Sequence, residues 1–549
     1  MNAFHAYRDD SAPPHESSGD HNEPVGEDSP AEVVIPAPSD PMAVARRLLS
    51  ERYQAHDGTL LLRHHRGDFF ARELTHWAEA EERRVRADLY EFLEQATFEK
   101  MTSEGVQLVP WEPNRKKVAD VLEALQAVSH LGAIVTPPAW VGGHGYPPAS
   151  EMVPMQNGLL HMPTRTLLPH TPHLFAQHAL AFAYEPDAAP PERWLKFLDE
   201  LWLDDQQAKD TLAEMFGYVQ GGSTNQQKIP MVVGPKRGGK GTIARVLTGL
   251  LGPHNVAAPT LASLTTNFGL SPLIGKPLAV MSDARLSNRA DAMVAVERLL
   301  SISGEDSLTI DRKYREPWTG RLPTRFVILT NELPRFLDSS GALASRFILL
   351  VLRESFYGRE DPGLTDQLLE CAPGILNWAL AGLDRLTARG HFVQPESARE
   401  AVLQLEDLSS PVGAFVRDRC RVGRGHEISK DRLYEEWKAW CELEGKSQPG
   451  TKEMFARDLR AAVPGLVGKR ARDRATGERP HLFVGVALRP LGEAHDDEAI
   501  VTHPDPGGRV SAGQGDRTIV APTRSVTDQR ALVAELSAAF DASIEEGAG

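Results

Sequence analysis

The chain has 549 residues, 41% hydrophobic and 25% charged, and a formal net charge of −15 at pH 7. That length exceeds one core, so roughly three or four units are expected, and no apolar run approaches the about 20 residues that span a bilayer. Cys371, Cys420 and Cys441 lack CxxC spacing, which excludes a zinc ribbon and a disulfide framework and fits a reducing cytoplasm.

The negative charge is not by itself a nucleic-acid signature, and the tails carry much of the acid. Residues 1–42 are rich in Pro, Ser, Asp, Glu and His, and read as a disordered acidic tail. No apolar h-region follows Met1, so no secretory signal is expected. Residues 43–205 form the next expected unit, mostly helical, with a strand-like interruption over 59–70. An amphipathic helix is predicted over 113–131, with Val118, Val121, Leu122, Leu125 and Val128 on one side. Asn157-Gly158 marks a tight turn. His161, His170, His173 and His178 lie close in sequence without metal-site spacing, and read as surface and loop histidines. Trp194, Phe197, Leu198, Leu201, Leu212, Met215 and Phe216 have the helical spacing of a core.

Residues 206–400 are expected to hold an ATPase unit. A short apolar run ends in Gly234-Pro-Lys-Arg-Gly-Gly-Lys-Gly-Thr242 and continues into the helical pattern 243–251. Strand, glycine-rich loop, lysine and helix form the context of a phosphate-binding P-loop. Glycines let backbone amides approach phosphate oxygens, the helix N-terminus adds positive dipole, and Lys240 reaches the terminal phosphates. The loop Gly234, Pro235, Lys236, Arg237, Gly238, Gly239, Lys240, Gly241 and Thr242 is the predicted nucleotide contact. Gly241 stands where a Ser or Thr ordinarily holds magnesium, and Thr242 comes one residue later.

A second apolar run ends at Asp283, and a third ends at Thr330-Asn331. Ligands in open α/β sheets bind at the C-terminal edge of the strands. Asp283 is therefore the predicted magnesium-holding carboxylate, and Asn331 the amide that orients water and senses the γ-phosphate. Between these strands, residues 307–321 alternate and break at a Pro/Gly turn, which predicts a hairpin. It carries Arg312, Lys313, Arg315 and Arg321 interleaved with Tyr314 and Trp318, a pattern for phosphate contact and base stacking, or for a solvated charged hairpin. Arg346 precedes the apolar run 347–352 and reads as an arginine finger acting in trans or as a structural ion pair.

Residues 409–490 suggest a winged helix: helices over 412–420, 430–444 and 451–463, then a strand pair ending at 488. Basic residues dominate from Lys452 to Arg489 and suit phosphate contacts. Residues 491–549 read as a disordered tail with one short helix from Asp528 to Ser543.

The order of P-loop, Asp-ended strand, basic hairpin, Asn-ended strand and Arg resembles a superfamily 3 helicase. More closely, the chain is similar to the helicase part of phage and plasmid primase-helicases, a group related to the poxvirus primase-helicase. Gly234–Thr242, Ser301-Ile-Ser-Gly-Glu-Asp306, Asp311-Arg-Lys-Tyr314 and Thr330-Asn-Glu-Leu-Pro-Arg335 carry the likeness, which covers roughly 50–490. It implies an AAA+-like α/β core, ATP and magnesium as cofactors, Thr242 and Asp283 at the metal, Lys240, Asn331 and Arg346 in catalysis, and a homo-hexameric ring around DNA with Lys313 and its neighbours facing the channel. A separate primase is the expected partner, since no acidic primase pattern precedes residue 200. The second acidic residue of many such helicases is missing after Asp283, which leaves Glu305 or Asp306 as candidate water-activating bases. Two other readings stand beside this one: an ATP-dependent DNA-binding scaffold with little hydrolysis, and a small-molecule phosphotransferase, since Gly-Lys-Gly-Thr also resembles adenylate kinases.

Overall fold

The computed structural model describes residues 33–282, 289–336, 338, 341–445, 449–470 and 481–490. Most of the expected N-terminal tail, Asp283, the basic stretch 471–480 and the whole tail 491–549 with its expected helix lie outside the described residues.

The chain divides into two compact units, one made of the segments up to Arg52 and from Arg83 to Val128, the other of Tyr53–Glu82 and everything from Ser129. The expected 43–205 segment is thus shared between them. In the first unit, helix Pro41–Arg52 packs on helix Arg115–Val128. The second helix buries Val118, Val121, Leu122 and Leu125, the face that its 3.6-residue periodicity marks. Strands Thr97–Thr102 and Gly105–Pro110 form a hairpin, and the fully buried Trp111 donates its indole N–H to the Pro36 carbonyl at 3.1 Å.

The second unit begins with strands: the first two fall on the strand-like interruption expected over 59–70, while the third, Trp77–Ala80, lies where helix was expected. Leu62–His65, Asp68–Arg72 and Trp77–Ala80 form an antiparallel meander, joined in parallel by His130–Leu131. Met152–Met155, Gly158–His161 and Thr166–Leu168 form a second antiparallel sheet, tightly turned beside Asn157 as expected. Strands of three to five residues are too short to impose a period on the sequence. His161 is a correction: it is 1% exposed, with Nε2 3.0 Å from a Glu151 carboxylate oxygen and Nδ1 2.7 Å from the Thr164 hydroxyl. Both ring nitrogens find partners, so the ring can be buried. Burial pushes His178 down to about 4, which leaves it neutral at pH 7.

The centre of this unit is a five-stranded parallel sheet. Its order is Val256–Ala257, Leu278–Ser282, Arg325–Thr330, Ile229–Val233, Phe347–Val351. Ile229–Val233 is buried on both faces, as an apolar run inside an α/β sheet must be. Val232 points into a core with Trp194, Phe197, Phe216 and Leu247, while Met231 and Val233 point into another with Leu261, Leu299 and Phe336. Helices Glu192–Leu201, Gln206–Gln220, Lys240–Leu251 and Ala372–Arg389 belong to the first core. Antiparallel hairpin Leu308–Arg312/Arg315–Gly320 lies where it was expected.

Beyond residue 410, helices Pro411–Arg419, Lys430–Leu443 and Lys452–Ala462 surround Phe415, Trp437 and Phe455. They pack with an antiparallel sheet ordered Cys420–Ser429, His481–Leu488, Val467–Arg470. The first of these strands was not foreseen: its register shifts between Val422 and Glu427, which breaks the alternation that would have marked it. No helix among the described residues is long and apolar enough to cross a membrane.

Helix Gln206–Gln220 meets helix Ala372–Arg389 backbone to backbone at two glycines. A Cβ on Gly217 would stand 2.3 Å from the Ala379 carbonyl oxygen, and one on Gly382 would stand 2.4 Å from the Ala213 carbonyl carbon. Because the obstructing atoms are backbone, neither helix can yield locally. We expect Gly217→Ala to lower unfolding stability by about 1–3 kcal/mol, as for an overpacked core, read from the urea midpoint by circular dichroism.

Candidate functional site

Ile229–Val233 delivers its chain to the C-terminal edge of the sheet, flanked by Arg325–Thr330 on one side and Phe347–Val351 on the other. The loop after it is tied to both neighbours. The Gly234 amide donates to the Thr330 carbonyl at 3.2 Å, the Ser355 hydroxyl donates to the Lys236 carbonyl at 2.9 Å, and the Phe356 amide to the Arg237 carbonyl at 3.0 Å. Gly239 caps the following helix with φ +88, and a Cβ there would meet Leu201 at 2.8 Å. Only glycine accommodates both demands. The amides of Lys240 and Gly241 precede the first bonds of the helix, which Thr242 and Ile243 donate to the Gly239 carbonyl, and they sit at the positive end of the dipole.

Lys240 is the centre of this arrangement. Its Nζ donates to the Gly234 carbonyl at 2.6 Å, the Pro235 carbonyl at 2.7 Å and Asn331 Oδ1 at 3.0 Å. Partial burial pushes its pKa below the ordinary lysine value. The predicted cation and amide therefore meet at one sheet edge. The carboxylate expected third, Asp283, lies outside the described residues.

Lys240 and the loop floor a cleft of about 970 Å³. Its lining includes six basic residues, Arg193, Lys236, Arg237, Lys240, Arg245 and Arg359, against three acids, Glu200, Glu360 and Asp361. That excess, with orphan helix amides, fits a polyanionic ligand. Phe197, Phe356, Pro362 and Leu364 supply an apolar wall. Sequence reasoning did not assign Arg193, Arg245 or the 356–365 segment to the site. Arg245 had a detectable signal, since it stands one helical turn after Gly241 and thus on the same helix face.

The cleft suits phosphates better than it suits a protein-held magnesium ion. Gly241 offers no hydroxyl, and the Thr242 hydroxyl accepts a hydrogen bond from Arg245 Nη2 at 3.1 Å. No group of three or more His, Cys, Asp or Glu side chains able to hold a metal occurs among the described residues.

Other predicted residues are placed elsewhere. Arg346 lies just before Phe347, which pairs with Ile229, whereas the loop follows Val233, which pairs with Val351. Four residues of strand, about 13 Å, therefore separate it from the C-terminal edge. Arg346 Nη1 donates to the Ser303 hydroxyl at 3.0 Å; burial lowers its pKa, and Asp306 works in the other direction. Glu305 bonds to the Thr224 hydroxyl, near the start of the central strand, so neither candidate base joins the Lys240 cleft.

The basic hairpin is only partly free. Arg312 Nη1 lies 2.6 Å from Asp68 Oδ2 and its side chain is 8% exposed. Arg315 Nη1 lies 2.8 Å from Asp68 Oδ1 and 3.0 Å from Glu79, and these acids raise its pKa, the hydrogen bond that Arg315 donates to Glu79 most. Arg66 stands 5.2 Å over the Trp318 ring. Lys313, Tyr314 and Arg321 are exposed, with Lys313 5.1 Å over the Tyr314 ring. Of the four predicted DNA contacts, then, two are exposed without a carboxylate clamp and two are paired to the 62–80 meander.

Comparison with known proteins adds to this geometry. Residues 46–203 match the family model described as D5 N terminal like. This supports the resemblance to phage primase-helicases drawn from the motifs. Residues 232–346, which hold the loop, Lys240 and Asn331, match a family of unknown function, DUF5906. Among solved structures, the chain is similar to the A form apo structure of the NrS-1 C-terminal region at 13% identity, covering 77% of this chain and 95% of that one, with a TM-score of 0.42. Another apo structure of that region is 12% identical, over 82% of this chain and 99% of that one, also at 0.42.

The Arg312–Asp68 pair is largely buried, so removing one partner strands the other charge. We expect Asp68→Ala to cost about 3–5 kcal/mol, measured as a lowered urea midpoint, whereas Glu79→Ala, at a half-exposed pair, should cost under about 1 kcal/mol.

Proposed function

We propose that this protein is an ATP-dependent DNA helicase or translocase acting in phage or plasmid DNA replication. The observation that carries the reading is the meeting of Lys240 with Asn331 over a glycine-rich loop, at the C-terminal edge of a five-stranded parallel sheet. In this reading ATP lies in the 970 Å³ cleft, with loop amides and Lys240 neutralising its phosphates. Asn331 exchanges its bond with the lysine for one to the terminal phosphate or an attacking water. Asp283 supplies the remaining carboxylate. The far placement of Arg346 supports a role toward a neighbouring subunit's cleft rather than its own, which a homo-oligomeric ring, a hexamer in this proposal, would provide. Hairpin 308–320 and the residue after it contact DNA through Lys313 and Arg321 first. The unit beyond residue 410, as a winged helix, adds phosphate contacts. Primase activity is assigned to a separate partner.

A second reading, an ATP-dependent DNA-binding scaffold with slow turnover, draws on one observation: Glu305 and Asp306 both stand away from Lys240. Phosphate release measured with and without single-stranded DNA separates the two readings, because only a motor is stimulated.

Lys240→Ala should reduce DNA-stimulated ATP hydrolysis by at least about a hundredfold, the scale of losing one preorganised charge donor; a variant that retains stimulated turnover would sink the motor reading. Lys313→Ala should weaken DNA binding to a similar extent on all sequences and reduce the slope of log affinity against log salt by about one, as read by fluorescence anisotropy across a salt series.

A further inference from the structure

In the helix that follows the loop, Gly241 and Arg245 are one turn apart. The Arg245 guanidinium folds back over Gly241: a Cβ built on that glycine would stand 3.1 Å from Nη1. Two threonines fix the fork. Nε donates to Thr365 Oγ1 at 3.0 Å, and Nη2 donates to Thr242 Oγ1 at 3.1 Å. Arg245, Gly241, Thr242 and Thr365 all line the cleft that holds Lys240. A permanent, planar cation thus covers the position from which a P-loop Ser or Thr would extend its hydroxyl.

We infer that Arg245 is a phosphate-binding residue that stands in for the metal-holding hydroxyl of an ordinary P-loop. This rests on the nucleotide reading of the cleft. A guanidinium has five N–H donors, and the two threonines use two of them, which leaves donors for phosphate oxygens beside Lys240. The glycine at 241 follows from this: any side chain there would displace the cation. The hydroxyl that could have moved into the metal role, Thr242, instead orients the arginine. Phosphate charge on this side of the loop is therefore balanced by protein, and magnesium, when it accompanies the nucleotide, arrives on the phosphates instead of being held by residue 241 or 242.

The test is titration of the full-length chain with a fluorescent ATP analogue, once with excess magnesium and once with a chelator. Wild type should change affinity by less than about threefold between the two conditions, while Arg245→Gln should lose at least about tenfold in chelator and much less with magnesium, since the metal then takes over the charge. Gly241→Ser meets only the end of a flexible side chain and should fold; by pushing the guanidinium aside it should make binding magnesium-dependent. Thermal unfolding of each variant checks that the fold is kept. If Arg245→Gln binds as wild type, or loses equally in both conditions as a purely structural bridge would, the inference is overturned. Wild type that binds no nucleotide at all, or Lys240→Ala that binds unchanged, would bring down the nucleotide reading itself and the inference with it.

Discussion

The architecture depends on one buried strand. Ile229–Val233 is paired on both sides in parallel and covered on both faces, so its direction and height are fixed by four neighbours at once. Everything with chemical potential in the cleft inherits its position from that strand. The loop is its continuation, the helix Lys240–Leu251 is the loop's continuation, and Asn331 is the residue after the strand beside it. A lysine whose ammonium is bonded to two carbonyls of its own loop and an amide from the next strand is a charge held in readiness. A phosphate can replace those neutral acceptors with a stronger, ionic one without rebuilding the backbone.

The same sheet divides labour between its two ends. Lys240 and Asn331 gather at the C-terminal edge, while Arg346, Ser303 and Asp306 gather at the other. Residues that the sequence places within one ATPase unit are thus kept apart by the length of a strand. A single chain thus carries Lys240 with Asn331 at one end of the sheet and Arg346 at the other.

What could be read from the sequence followed the length of the signal. Apolar runs ending at Val233, Ser282, Thr330 and Val351 were long and pure enough to be recognised as buried strands, and their order along the chain placed Lys240 and Asn331 together. Helix Arg115–Val128 declared itself by its period. Short strands such as His130–Leu131 and Ala139–Trp140 did not, because pairing partners far along the chain, not local pattern, make them strands. Side-chain pairings were illegible for a related reason. Nothing near Arg312 in sequence announces Asp68, and nothing near Arg245 announces Thr365, since both contacts are made by tertiary structure.

The meander that holds Arg312 and Arg315 lies in chain positions 53–82, between the two segments of the other compact unit. The backbone therefore passes between the units three times, and no single cut separates them. Shortening the protein to start at residue 129 would leave the two guanidiniums without their carboxylates. Such a fragment would cling to any polyanion more tightly than its parent, and affinities measured on it would describe a hairpin two of whose charges the intact chain keeps paired.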